Sequence, residues 1–217
     1  MLALERYLAQ RARWPHTGRH ILAQFDADTL VVYQAFDPSI ADQAVRLGRF
    51  GSAFSLARMS WIKPNFLWMM FRSGWATKPG QHRVLALRLA RPFFERTLAA
   101  AVPSSFDARI FASKSEWQDA VAASDVRLQW DPDHDPSGSP LERRAIQLGL
   151  RGVCLQEFAH DAIVELQDVT ELVTTQRAHA AAPFEELCTP AEREFVPAAP
   201  EVAARLGVGS SNGEGAG

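Results

Sequence analysis

Lys63, Arg72 and Lys78 alternate with Trp61, Trp68 and Trp75 in one stretch, MSWIKPNFLWMMFRSGWATKPGQHR (residues 59–83), that contains no acid. Cations set beside aromatic rings are the groups that hold a phosphate and stack a planar base. The chemistry they point to is recognition of an anionic small molecule, such as a nucleotide, or of nucleic acid. Trp61, Lys63, Arg72, Ser73, Trp75, Lys78 and Gln81 are the candidate binding residues, with Trp61 or Trp75 as the stacking plate. Pro64 suits a first helical turn, which would put Lys63 near a helix N-terminus, where anions are favoured. The competing reading is structural: the tryptophans are core, and Arg72 is bound to backbone carbonyls or to an internal acid.

Tyr33 and Gln34 sit side by side in the apolar run TLVVYQAF. In a strand they face opposite sides, so one is core and the other meets a cleft. A buried Gln34 needs a hydrogen-bond partner, in a neighbouring strand or in a ligand. Trp130 ends the run VRLQW, just before the loop-like DPDHDPSGSP. Asp131, Asp133, His134 and Asp135 could serve a divalent cation or supply an acid and a base, but the EF-hand glycine and glutamate are missing. No metal is assigned to them. Arg143 and Gln147 share one face of the strand-like ERRAIQLGL, and would join Arg72 if that face meets the cleft. No GxSxG is present, and His160, six residues after Cys154, is too far round a helix to pair with it, which argues against a protease or esterase. Neither GxGxxG nor GxxxxGK[ST] occurs, so no standard phosphate loop is present.

The elements that must position these groups follow from the pattern. The 217 residues are 47% hydrophobic and 22% charged, an ordinary globular balance long enough for one core. The net charge of -2 names no partner, but it is unevenly spread: seven bases and no acid from Gly51 to Phe94, against eleven acids and three bases from Glu157 onward. A positive surface is expected over the first of these regions. Two isolated cysteines cannot make a disulfide framework and suit a reducing cytoplasm. Charges interrupt every long apolar run, which argues against a membrane span, and charges in the first residues argue against a secretion signal.

A short helix over 1–14 comes first, then strands HILAQFD and TLVVYQAF about a turn at 26–28. Helices follow over SIADQAVRLGRF and NFLWMMFRS, and a strand over HRVLALRLAR, with Leu85, Leu87 and Leu89 on one side and Val84, Ala86 and Arg88 on the other. Helices are predicted over RPFFERTLAAAV, over SKSEWQDAVAAS with Ser113 and Glu116 as a capping box, over GVCLQEFAHD and over TELVTTQRAHA. VRLQW, ERRAIQLGL and AIVELQDV read as strands. The irregular order predicts an α+β fold: a single domain over 1–180, with a mixed, mostly antiparallel sheet and helices packed on it. Residues 181–217 read as a Pro/Ala/Glu/Gly-rich tail with a disordered end.

VYQAF, RMSWIKPNFLWMMFRSGWATKPGQHRVLALRL, VRLQWDPDHD, AIQLGLRG and the DVT of Asp168–Thr170 together resemble the uncharacterised family called domain of unknown function 4291, over roughly residues 20 to 175. That resemblance implies no mechanism. The element order is also distantly similar to ADP-ribosyltransferase folds, which implies NAD as a substrate. Their pattern is an Arg or His on the first strand and a Glu or Gln late in the chain. Here Tyr33-Gln34 stands at the first position and Gln147 or Glu165 at the second, so Gln34, Gln147 and Glu165 are the catalytic candidates. The expectation is an enzyme acting on a nucleotide or nucleic acid, with ADP-ribosyl transfer from NAD as its sharpest form. The alternative is a non-catalytic binder of nucleic acid or of a phosphorylated ligand.

Overall fold

The computed structural model describes residues 2–209; the end at 210–217, where composition predicts disorder, lies outside the described residues. The chain starts with β1 (Leu4–Arg6), α1 (Tyr7–Arg11), β2 (Gly18–Arg19), β3 (Ile21–Ala23), β4 (Thr29–Phe36) and α2 (Pro38–Leu47). It continues with β5 (Ser60–Ile62), α3 (Phe66–Ser73), β6 (Arg83–Ala90), α4 (Arg91–Ala100), β7 (Val102–Pro103) and α5 (Lys114–Ala123). Then come β8 (Val126–His134), β9 (Pro140–Leu150), α6 (Gly152–His160), β10 (Ile163–Asp168), α7 (Thr170–Arg177), β11 (Cys188–Pro190), β12 (Arg193–Phe195) and α8 (Pro200–Leu206). The fold is α+β, as the element order predicts.

Two sheets carry the site. One is antiparallel in the order β10-β6-β4; the other runs β2-β9-β8-β7, with β5 added on β9. Within the second, β2–β9 and β7–β8 are parallel and the rest is antiparallel. Alternation in β4 and β6 sorts side chains into two apolar clusters, because successive strand residues point to opposite faces. Leu30, Val32, Leu85, Leu87 and Leu89 join Leu128, Ile146, Leu148 and Leu150 of the larger sheet in the first cluster. Val31, Tyr33, Val84 and Ala86 join Phe66, Leu67, Met69 and Met70 of α3 in the second.

Several boundaries differ from the sequence reading. Helix α3 starts after Asn65, whose side-chain oxygen accepts from Trp68 N at 2.6 Å, so Pro64 precedes the cap instead of opening the first turn. Strand β8 runs on to His134, through the acidic, proline-bearing stretch expected as a loop. Pro132 fits because the β8–β9 register shifts between it and His134, where a bulge removes the need for its missing N–H. The expected N-terminal helix is only the five residues of α1, because Leu4–Arg6 pairs with β11 instead.

The stretch after residue 180 is built into the fold up to 209. Strand β11 pairs with β1, β12 pairs with β3, and Val202 and Leu206 of α8 pack into the first cluster. Its low hydrophobicity hid this, because the contacts made at Thr189 and Glu192 are polar: Gln10 Nε2 donates to Thr189 Oγ1, and Glu192 accepts from Phe66 N. Among the described residues, no helix is long and apolar enough to cross a membrane.

Candidate functional site

Backbone pairing brings the two sheets together at residues 60–63. Ser60, Trp61 and Ile62 pair with Leu150, Gly149 and Leu148 of β9. One residue later the chain crosses to the other sheet, where Lys63 and Tyr33 bond to each other through N–H and C=O in both directions. Pro64 and Asn65 then turn it into α3. Over this junction lies a cavity of about 730 Å³, within the size range of small-molecule and cofactor sites. Its wall takes Gln34 from β4, Trp61 and Lys63 from the crossing segment, Arg72 from α3, and Gln129 and Gln147 from β8 and β9. Gln81 and Arg58 complete the rim.

Lys63 is the most unusual group in it. The residue is 4% exposed, yet its ammonium has no hydrogen bond or ion pair with any described residue. Burial, and then the neighbouring Arg72 charge, lower its pKa to about 8, while Asp131 pulls the other way. A buried cation left without a protein partner is costly, a cost that an opposite charge beside it would offset. Arg72, on the last turn of α3, and Arg58 are exposed and also make no hydrogen bond or ion pair with the described residues. Three cations therefore face one hollow. Among the described residues, the one acid in its wall, Asp37, is committed: its carboxylate accepts from Ser39 N at 3.0 Å and from Ser39 Oγ at 2.9 Å, capping α2.

Amide groups form the polar floor. Gln34 Nε2 donates to Ser60 Oγ at 2.8 Å and to Trp61 O at 3.0 Å, while its buried Oε1 has no partner. Gln147 lies directly across from Gln129 in the β8–β9 register. Its Nε2 donates to Gln129 Oε1 at 2.8 Å and to Asp131 Oδ2 at 2.6 Å. Burial pushes the Asp131 carboxyl up, against the Gln147 hydrogen bond and the Lys63 charge. Trp61 is half-buried and packs on Gly149, where a Cβ would lie 3.0 Å from the indole ring.

Of the thirteen residues picked from the sequence, six meet here: Gln34, Trp61, Lys63, Arg72, Gln81 and Gln147. The others are elsewhere. Tyr33 points into the second apolar cluster against Phe66, with its hydroxyl unpartnered. Ser73 is buried, and its hydroxyl donates to Met69 O within α3. Trp75 is no stacking plate, because its indole N–H donates to Pro136 O and its ring meets Phe66 edge-on. Lys78 donates to Phe71 O and sits over the Phe71 ring.

Arg143 shares a strand with Gln147 but is buried in an ion pair. Its Nε is 2.8 Å from Asp133 Oδ2, its Nη1 donates to Pro15 O, and its guanidinium lies over Trp14. Glu165 is on β10, paired with Arg88 and outside the cavity. Trp130 is fixed through its indole N–H to Leu206 O and faces a separate, smaller cavity. Asp133 and Asp135 are also engaged internally, with Arg143 and with Ser137. The sequence reading missed Arg58 and the bridging of Asp131 to Gln147. Arg58 lay within the acid-free run, while the Asp131 contact depends on a strand register that the sequence does not state.

The geometry defines an α+β protein with a wide, cation-rich cavity at a sheet junction. The family described as Domain of unknown function (DUF4291) matches residues 20–195, and the chain belongs to that family. A search of the curated proteins finds no match.

Proposed function

We propose that this chain is an enzyme acting on a nucleotide, free or as part of a nucleic acid, held in the cavity at the sheet junction. The observation that carries the reading is Lys63: a residue only 4% exposed, whose ammonium has no partner among the described residues and shares a wall with Arg58 and Arg72. Arg58, Lys63 and Arg72 hold the phosphates, and Trp61 offers an aromatic surface to a base. Gln34 and Gln147 orient the sugar, through a buried Oε1 without a partner in the first case and an Oε1 left free by its amide bonds in the second. A lysine lowered to about pKa 8 and a carboxyl pushed up by burial, each within reach of the other's charge, favour catalysis over passive binding, since perturbed groups gather at functional sites.

The reaction we assign first is ADP-ribosyl transfer, with NAD as substrate. The bond from ribose C1′ to the nicotinamide nitrogen breaks, and nicotinamide leaves with the bonding pair. An acceptor oxygen or nitrogen bonds to C1′ and gives up its proton to water. Gln147 takes the late position in this reading, because Glu165 lies outside the cavity. The second reading is non-catalytic binding of a phosphorylated ligand or nucleic acid. It is favoured by the commitment of Asp37, the acid in the cavity wall, to the α2 cap.

The test is incubation of the purified chain with NAD and with nucleotide triphosphates, with and without nucleic-acid and protein acceptors, followed by product analysis. Nicotinamide release or nucleotide conversion that is lost in Arg72→Ala supports the enzyme. Saturable, salt-sensitive binding without any product supports the binder. No binding of any nucleotide, nucleic acid or inorganic pyrophosphate removes both.

A further inference from the structure

We propose that the ligand continues past the junction cavity into a second one, and so carries two nucleotide units joined through phosphate. This rests on the nucleotide reading above and deepens it. Past Ser104, whose N–H donates to Leu128 O, the edge of β8 away from β9 has no strand neighbour among the described residues. A cavity of about 310 Å³ opens there, walled by Phe106, Trp130, Asp131 and Arg19. Gln129 lines both cavities, and the Gln129–Gln147–Asp131 hydrogen bonds form the seam between them.

Three features of the second cavity suit a nucleotide unit. Arg19 is half-buried, yet its guanidinium makes no hydrogen bond or ion pair with any described residue. Asp107, the acid whose charge reaches Arg19, is already bound to Arg109, accepting from its Nε at 2.9 Å and its Nη2 at 2.6 Å. Phe106 and Trp130 are half-buried aromatic walls of the kind that stack a base whatever its identity. At the seam, the Gln129 Nε2 makes no hydrogen bond with any described residue and is a donor able to meet a linking phosphate. The larger cavity gathers cations; the smaller one sets Arg19 beside aromatic rings, with its other cation, Arg205, held by the carbonyls of Leu98, Ala99 and Ala101. A single nucleotide would leave one of them unused.

The ligand class has two sources, a pyrophosphate-linked dinucleotide such as NAD and a phosphodiester-linked single strand. Calorimetric titration of the full chain with AMP, NAD, a dinucleotide and a longer single strand separates them. We expect the two-unit ligand of the correct source to bind at least about tenfold more tightly than AMP, the worth of one stacked base or one charge-assisted contact. Arg19→Ala and Phe106→Ala should abolish that gain and leave AMP affinity unchanged, with Arg19→Lys recovering part of it. Arg19 has no protein partner to orphan, so its replacement should leave the fold intact, which a melting curve checks. Equal binding of AMP and every two-unit ligand, or a gain that survives Arg19→Ala and Phe106→Ala, would overturn the second cavity's role and leave the nucleotide reading standing. No binding of AMP or of any longer ligand would overturn both.

Discussion

Lys63 and Tyr33 exchange both backbone hydrogen bonds, Tyr33 N to Lys63 O at 2.7 Å and Lys63 N to Tyr33 O at 3.3 Å, while their side chains part company. The Tyr33 ring enters the second apolar cluster and the Lys63 side chain enters the cavity wall. The pairing fixes the Lys63 backbone to β4, at the edge of the β10-β6-β4 sheet, and so sets where its side chain starts. A lowering from 10.5 to about 8 corresponds to about 3 kcal/mol of unfavourable surroundings for the charged form. Lys63→Met should therefore leave the melting temperature unchanged or raise it. Titration with pyrophosphate or a nucleotide should show binding weakened at least about tenfold, the loss of one charge-assisted contact.

The same group fixes a pH dependence. Lys63 titrates at about 8 when folded and at about 10.4 in an unfolded chain. Below about 8 it is protonated in both states, so its cost to the fold is constant. Between about 8 and 10 the unfolded chain holds a proton that the folded chain has released, so this group's contribution to stability rises with pH across that window. Anion binding has the opposite sign, because the anion needs the ammonium. Affinity should fall as pH rises through about 8, by up to about tenfold per unit. Titrations from pH 7 to pH 10 on wild type and on Lys63→Met check this, and only the wild type should show the fall.

Gly149 sets the position of the Trp61 wall. A Cβ there would stand 2.6 Å from Met59 Sδ and 3.0 Å from Trp61 Cε2 and Cζ2. Both neighbours line the cavity, so Gly149→Ala should push the wall inward. The expected outcome is a loss of about 1–3 kcal/mol of stability in denaturant unfolding, together with weaker nucleotide binding. Gly48→Ala, where a Cβ meets nothing within 4 Å but φ is +68°, serves as a comparison that strains the backbone away from the site.

Glu192 anchors the helix that carries Arg72. Its carboxylate accepts from Phe66 N at 2.7 Å and lies 3.4 Å from Asn65 Nδ2, at the start of α3. Burial raises its pKa well above the usual carboxylate range, only partly offset by the Phe66 N–H. A raised folded pKa means that its stabilising contribution is full below the unfolded value of about 4.3 and is lost as pH rises through the folded value. Glu192→Gln keeps an acceptor for Phe66 N and should remove this loss, so its stability should change less with pH than that of the wild type. Glu192→Ala leaves that N–H without a partner and should cost about 1–3 kcal/mol in chemical unfolding.

The sequence made the class of fold and the centre of the site legible, through particular residues. The period-two alternation of Leu85, Leu87 and Leu89 against Val84 and Ala86 is reproduced by the two clusters. The acid-free run placed Trp61, Lys63, Arg72 and Gln81 on one cavity, because that run spans a strand and the helix that follows it. What could not be read was long-range. Trp75 and Lys78 belong to the same run, but the chain turns at Gly74, where φ is +60°, and carries them toward Pro136 and Phe71. Arg143 looked equivalent to Gln147 by alternation. Only the partner strand distinguishes them, setting Asp133 beside one and Gln129 beside the other. Glu192 sits in a region of Pro, Ala and Glu, and nothing local signals that its carboxyl caps a helix 126 residues earlier in the chain.

The most direct test of a cation held ready for an anion is the titration of Lys63 itself. The chain has three lysines, Lys63, Lys78 and Lys114, so lysine-selective NMR of the full chain gives few signals, and Lys63→Met assigns the one of interest. We predict a midpoint of about 8 that moves upward when inorganic pyrophosphate is added. A midpoint near the ordinary value of about 10.4, unmoved by pyrophosphate, would contradict an anion site built around Lys63.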